Sequence, residues 1–182
     1  MASAFIVEGQ MEQRIVHRAC PGVPVRRIQC NGDHVSLGRL CDFIETQVRL
    51  LVDRYYPIII VFDREGRSEA PDEIQAFVLN RFAEAGMAEQ DIRVYVADRE
   101  TEDWYLKDIE AICQHYEVQT GGRKYYGKGG LTSLLEPVHR YHETTIGVDI
   151  FFKVSKSKIA ACCPMFSALR STALEIGCPA FN

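Results

Sequence analysis

Three short acidic clusters carry the chemistry open to this chain: Glu8, then Asp63 with Glu65, then Asp98, Glu100 and Glu102. Each follows an apolar run, Ala4–Val7, Pro57–Phe62 and Ile92–Ala97 in turn. Two like charges about 4 Å apart repel by roughly 4 kcal/mol at an effective dielectric near 20, so carboxylates brought together need something to offset them. Pairing with Arg64, Arg67 or Arg99 is one solution. A hard divalent cation is the other, since Mg2+ and Mn2+ favour carboxylate oxygens and keep several of their waters. Asp63 and Glu65 are two positions apart, which in extended chain puts both side chains on one side, as two ligands of one ion require. Glu8 would approach from a neighbouring strand, with Glu12 one helical turn beyond it.

The elements that must position these residues read as an alternation. Ala4–Val7, Val23–Cys30, Pro57–Phe62 and Ile92–Ala97 predict strands, and Pro57–Phe62 is apolar throughout, like a strand covered on both faces. Met11, Ile15, Val16 and Ala19 predict a helix that ends at Cys20-Pro21-Gly22. Asn31-Gly32-Asp33 predicts a turn, and Leu37, Leu40, Cys41, Ile44, Val48, Leu51 and Val52 a long amphipathic helix. A third helix starts at Ala70-Pro71-Asp72-Glu73 and ends at Gly86, and Thr101-Glu102-Asp103 caps a fourth that runs to about His115. Beyond it, Gly121 to Gly130 predicts a flexible loop, Leu131–Tyr141 a helix, Ile146–Val154 an extended segment and Lys158–Leu174 a helix. Strand alternating with helix predicts a parallel α/β sheet, and ligands of such sheets bind at the carboxyl ends of the strands. All three acidic clusters lie at that edge.

The wording of two strand ends resembles a known family. Phe5-Ile6-Val7-Glu8-Gly9-Gln10-Met11-Glu12 resembles the signature that opens Toprim domains, and Ile60-Val61-Phe62-Asp63-Arg64-Glu65-Gly66 resembles their D-x-D strand end. Glu102-x-Trp104-x-Leu106-x-Asp108 is similar to a helix start in small stand-alone Toprim proteins of the OLD-nuclease and RloB type, which are often encoded beside an ABC-type ATPase. The resemblance covers roughly residues 4–110. It implies a small parallel sheet of about four strands sandwiched by helices over residues 1–118, with 119–182 a basic loop and C-terminal extension packed on that core. It also implies Glu8 as metal ligand or general base, Asp63 as the central ligand, and Glu12 and Glu102 as further ligands of Mg2+ or Mn2+. Glu65 stands where the motif's second Asp usually lies, and its extra methylene alters ligand reach. Six residues of helix turn through about 600°, so Glu102 and Asp108 cannot face one point.

The implied activity is metal-dependent hydrolysis of DNA or RNA, with an ATPase as a possible protein partner in anti-phage defence. Lys153 and Lys156 are the candidates to neutralise charge at the reacting phosphate. Arg123, Lys124, Tyr125, Tyr126 and Lys128, joined by Lys158, are candidates to grip phosphates and stack bases. A Toprim-like subunit that only binds a partner, and a receiver-like domain with Asp63 as phosphoacceptor, are the competing readings.

Composition fits this picture without selecting it. The net charge is -4, but residues 63–110 hold 14 acidic and 6 basic side chains while 111–182 hold 8 basic and 5 acidic. That segregation suits a metal site served by a phosphate-binding surface. His139-x-x-His142 has a zinc-compatible spacing but no third ligand nearby in the sequence. Neither a G-x-x-x-x-G-K-[ST] loop nor a G-x-S-x-G elbow occurs. Met1–Phe5 lacks a charged start, and no apolar run reaches the roughly 20 residues of a membrane span. The seven cysteines contain no C-x-x-C pair, so reduced thiols in a cytoplasmic protein are expected.

Overall fold

A computed structural model describes residues 2–30, 35–136 and 138–182. The chain is an α/β protein whose four strands, β1 (Ala2–Val7), β2 (Val25–Arg27), β3 (Tyr55–Asp63) and β4 (Ile92–Ala97), form one all-parallel sheet in the order β2-β1-β3-β4. Helices flank it on both faces, an arrangement consistent with a Toprim-like α/β fold. The two faces follow from the period-2 alternation of strand side chains. Phe5, Val7, Ile59, Val61, Tyr95 and Ala97 enter one core, shared with Met11, Ile15 and Val16 of α1 (Gln10–Ala19). Ala4, Ile6, Ile58, Ile60, Phe62, Val94 and Val96 enter the other, covered by α2 (Leu37–Arg49) and α3 (Pro71–Phe82). Full burial of such side chains stabilises by about 1.5–3 kcal/mol each, which is why β3 lies in the middle.

The order β2-β1-β3-β4 places the reversal of strand order between β1 and β3. Open α/β sheets bind ligands at the carboxyl edge of that reversal, where the flanking loops diverge to opposite faces. Glu8 follows β1 and Asp63 ends β3.

After β4 the chain is more broken than its periodicity predicts. The helix expected from Thr101 to about His115 is three pieces: α4 (Thr101–Tyr105), a 3-10 turn (Leu106–Asp108) and α5 (Ile109–Tyr116). Asp108 interrupts it because its carboxylate leaves the helix to accept bonds from the Ser155 N–H at 2.8 Å and from Lys158 Nζ at 2.9 Å. The next helix, α6 (Gly127–Leu135), begins and ends earlier than expected. The extended segment expected over Ile146–Val154 is instead a π-type turn (Glu143–Gly147) and α7 (Val148–Lys153). There the apolar pair Ile150 and Phe151 packs as one helix face against the core rather than as alternating strand residues. Cys163-Pro164 splits the last helix into α8 (Lys156–Cys162) and α9 (Pro164–Glu175), since proline cannot continue a helix from within. β2 is only three residues long, and Arg26 and Arg27 lie within it, paired with Ile6 and Val7 of β1. The turn expected at Asn31-Gly32-Asp33 lies outside the described residues.

The C-terminal third is built into the core: Leu131, Leu134, Ile159, Phe166, Leu169 and Phe181 pack in the same cluster as Phe5 and Ile59. Cys20, at the end of α1, and Cys178 are both buried and form a disulfide with Cα atoms 4.6 Å apart. This corrects the expectation of uniformly reduced thiols; Cys30, Cys41, Cys113, Cys162 and Cys163 are free. Among the described residues no helix is long and apolar enough to cross a membrane.

Candidate metal centre

Glu8 leaves β1 immediately before the helix cap at Gly9, and its Oε2 accepts the backbone N–H of Asp63 at 2.8 Å. The bond ties the two strand ends on either side of the topological reversal. Asp63 Oδ1 in turn accepts the N–H of Thr101, the first residue of α4, at 3.0 Å. Glu12 reaches back to cap α1, accepting the Gly9 N–H at 3.1 Å, and its other oxygen accepts the Thr101 hydroxyl at 2.9 Å. Glycine at position 9 leaves room for that carboxylate, since a Cβ there would lie 2.6 Å from Glu12 Oε2. Glu102 is 4% exposed and accepts the Tyr141 hydroxyl at 3.0 Å. Four carboxylates, from the residue after β1 and from α1, β3 and α4, are thus linked through neutral donors.

Their electrostatics follow from this crowding. Burial pushes Glu8 up to about 7, helped by the charges of Glu65 and Glu12 and opposed by the Asp63 N–H. Burial raises Glu102 to about 7 as well, with Glu12 adding to it. Asp63 is raised well above the ordinary carboxylate range by burial and then by Glu12, Glu8 and Glu102. Glu12 is raised mainly by its own burial. The expected arginine pairing occurs, but farther out. Arg64 reaches Asp98, Arg67 reaches Glu65, and Arg99 reaches Asp103. Among the described residues no salt bridge reaches Glu8, Glu12, Asp63 or Glu102. Burial and mutual repulsion thus disfavour the charged form of all four acids, and a cation among them would favour it.

The expected ligand set is only partly assembled. Among the described residues, no three Asp, Glu, His or Cys side chains are drawn together closely enough to hold one ion. Glu65 does not continue an extended strand beside Asp63: its φ is +55°, its N–H bonds Arg99 O at 2.8 Å, and its carboxylate lies 3.8 Å from Arg67. Asp98 points outward, its side chain 79% exposed, and Glu100 accepts the Lys128 N–H at 2.6 Å. Of the third acidic cluster Glu102 is buried and Glu100 lines the opening beside it. The remaining donor set nevertheless fits a magnesium-like ion, which binds through one or two carboxylates plus waters rather than in an all-protein cage. Glu8 and Asp63 each use one oxygen in the bonds above, leaving Glu8 Oε1 and Asp63 Oδ2 for such an ion.

A cleft of about 1040 Å³ opens over this cluster, and its lining includes Glu8, Asp63, Arg27, Arg99, Tyr126 and Lys128. Tyr126 and Lys128 are thus brought to the site from the expected nucleic-acid loop. Arg123, Lys124 and Tyr125 are not among the lining residues. The three late lysines are also elsewhere. Lys153 is exposed at the end of α7. Lys156 is buried, donating to Val154 O at 2.9 Å with its ammonium 4.5 Å from the Phe151 ring centre. Lys158 is engaged by Asp108 and Glu110. Sequence reading missed Arg27 and Glu143, which line the cleft, Glu143 pairing with Lys128, and it missed Tyr141, whose hydroxyl donates to Glu102. Compared with protein-family models, curated proteins and solved structures, this chain matched nothing.

Proposed function

We propose that this protein is a Mg2+- or Mn2+-dependent nuclease, hydrolysing phosphodiester bonds of DNA or RNA in the cleft above Glu8 and Asp63. One observation carries the reading: among the described residues no salt bridge reaches the four carboxylates at the β1/β3 reversal, while Arg27, Arg99 and Lys128 line the cleft around them. Inner acids with outer cations are what an anionic substrate bridged to a metal requires. The resemblance of residues 5–12 and 60–66 to Toprim signatures points the same way.

Glu8 and Asp63 would hold the ion, which supplies Lewis acidity at a phosphoryl oxygen and a nucleophilic water. Glu12 and Glu102 stand behind them, and their hydrogen bonds to Gly9, Thr101 and Tyr141 fix the position of the cluster. Arg27, Arg99 and Lys128 would bind the flanking phosphates, and Lys128 is the lysine closest in role to the late basic residue expected from the resemblance. The displacement of Lys153, Lys156 and Lys158 favours a second reading, a Toprim-like subunit that binds metal and nucleic acid, or a partner ATPase, without cleaving alone.

The test is digestion of single- and double-stranded DNA and of structured RNA with Mg2+ or Mn2+. Cleavage that needs the metal and disappears in Glu8→Gln and Asp63→Asn supports the nuclease. Cleavage that persists in both variants overturns it, and binding without cleavage selects the second reading.

A further inference from the structure

The segment Arg123–Tyr126, just before α6, contains two adjacent tyrosines with opposite fates. Tyr125 packs against the core and its hydroxyl donates to Thr120 O at 3.0 Å. Tyr126 is 59% exposed, more than the other exposed large hydrophobic residues described, and it lines the cleft above the carboxylates. A single exposed aromatic is ordinary on a protein surface. This one differs in how firmly its backbone is held. It caps α6, accepting the Gly130 N–H at 2.8 Å. The next two N–H groups are held by carboxylates: Gly127 by Asp103 at 2.6 Å and Lys128 by Glu100 at 2.6 Å. Gly127 has a φ of +55°, and a Cβ there would overlap Glu100, so the backbone has little freedom to rearrange.

The ring is supported as well. The Arg99 guanidinium lies over it, 5.7 Å from the centroid, and is itself bonded to Asp103 at 3.3 Å. An aromatic with a cation over one face, a fixed backbone and its remaining surface open to a cleft lined by Arg27 and Lys128 has the attributes of a base-stacking platform. Stacking is available only to a base whose face is free, because in a duplex both faces are covered by neighbours.

We propose that Tyr126, backed by Arg99, is a stacking shelf for one unpaired nucleobase, so that the cleft accepts single-stranded or flipped-out nucleotides in preference to intact duplex. The proposal rests on the nucleic-acid reading above and adds to it the class of substrate.

Fluorescence anisotropy tests it with four labelled probes: a 12-nucleotide DNA strand, its RNA counterpart, the blunt DNA duplex, and an abasic strand with the same number of phosphates. Ca2+ replaces Mg2+ throughout. The wild type is expected to bind the two base-bearing strands more tightly than the duplex or the abasic strand. Tyr126→Ala should weaken the base-bearing strands by roughly 5- to 150-fold, the span of stacking by alanine substitution, and leave the abasic strand unchanged. Tyr126→Trp should retain tight binding. An equal loss on the abasic strand, or no loss on the base-bearing ones, overturns the shelf while leaving the nucleic-acid reading standing. If the wild type binds none of the four, that reading falls and the shelf with it. The DNA and RNA arms show which nucleic acid the shelf prefers.

Discussion

Glu8 and Asp63 lie 55 positions apart in the chain, yet the Glu8 carboxylate accepts the Asp63 backbone N–H at 2.8 Å. The bond joins the ends of β1 and β3 where the sheet order reverses. It aligns one carboxylate against the base of another, and Glu12 and Glu102 close in from α1 and α4. Such an arrangement raises the energy of the charged, metal-free state.

The first consequence is a substitution that stabilises. In metal-free buffer at pH 8, Asp63→Asn removes the cost of keeping a buried carboxyl there, whether protonated or charged against its neighbours, and keeps an oxygen for the Thr101 N–H. It should raise stability on the order of 1 kcal/mol, or about 2–4 °C in Tm for a domain of this size. Thermal unfolding by circular dichroism reads this out. A lower Tm than wild type would mean that the Asp63 charge is already compensated within the protein.

The second concerns pH. Glu8 and Glu102 are raised to about 7 from an ordinary 4.5, chiefly by burial. Between those values the native state binds more protons than the unfolded chain, so the stability of the metal-free protein falls as pH rises. Their contribution is complete below about 4.5 and lost as pH passes about 7. Melting curves in a chelator from pH 5 to 8 should show a declining Tm, and saturating Mn2+ should remove most of the decline. A flat profile in chelator would contradict the burial of these acids.

Much of this was legible in the residues. The apolar runs before Glu8, Asp63 and Asp98 specify parallel strands because they are buried on both faces, and clusters at strand ends then share one edge. What the residues could not show is direction. Glu65 lines the cleft with Asp63 but turns toward Arg67, because a left-handed φ breaks the extended geometry assumed for the Asp63/Glu65 pair. Glu100 is lost to the α6 backbone, a contact that joins segments far apart in sequence. The run Ile146–Val154 misleads because a short apolar stretch serves equally as a helix face or a strand. The Cys20–Cys178 disulfide joins residues 158 apart, a separation at which spacing carries no signal.

A third prediction addresses the link between the basic loop and the cleft. Gly127→Ala forces an L-residue to a φ of +55° and drives its Cβ into the Glu100 carboxylate. The backbone cost alone is about 1–2 kcal/mol, so Tm should fall by several degrees. Chemical denaturation of the variant measures it. An unchanged midpoint would show that the 126–130 backbone is not fixed by Glu100 and Asp103.

A fourth concerns the disulfide. Cys20–Cys178 closes most of the chain into a loop, and bridges of this kind contribute about 2–5 kcal/mol in many proteins. Non-reducing peptide mapping should recover residues 20 and 178 in one linked fragment. Cys178→Ala should lower the denaturation midpoint under oxidising conditions and match the reduced wild type. A variant as stable as the oxidised protein would show that the bridge adds nothing.

Calorimetric titration with Mn2+ at pH 7.5 tests the carboxylate centre most directly. Wild type and Glu65→Gln should bind the ion, whereas Glu8→Gln and Asp63→Asn should lose at least about tenfold in affinity, or about 1.4 kcal/mol. Equal binding by all four proteins, or none by the wild type, would contradict a cation site between the ends of β1 and β3.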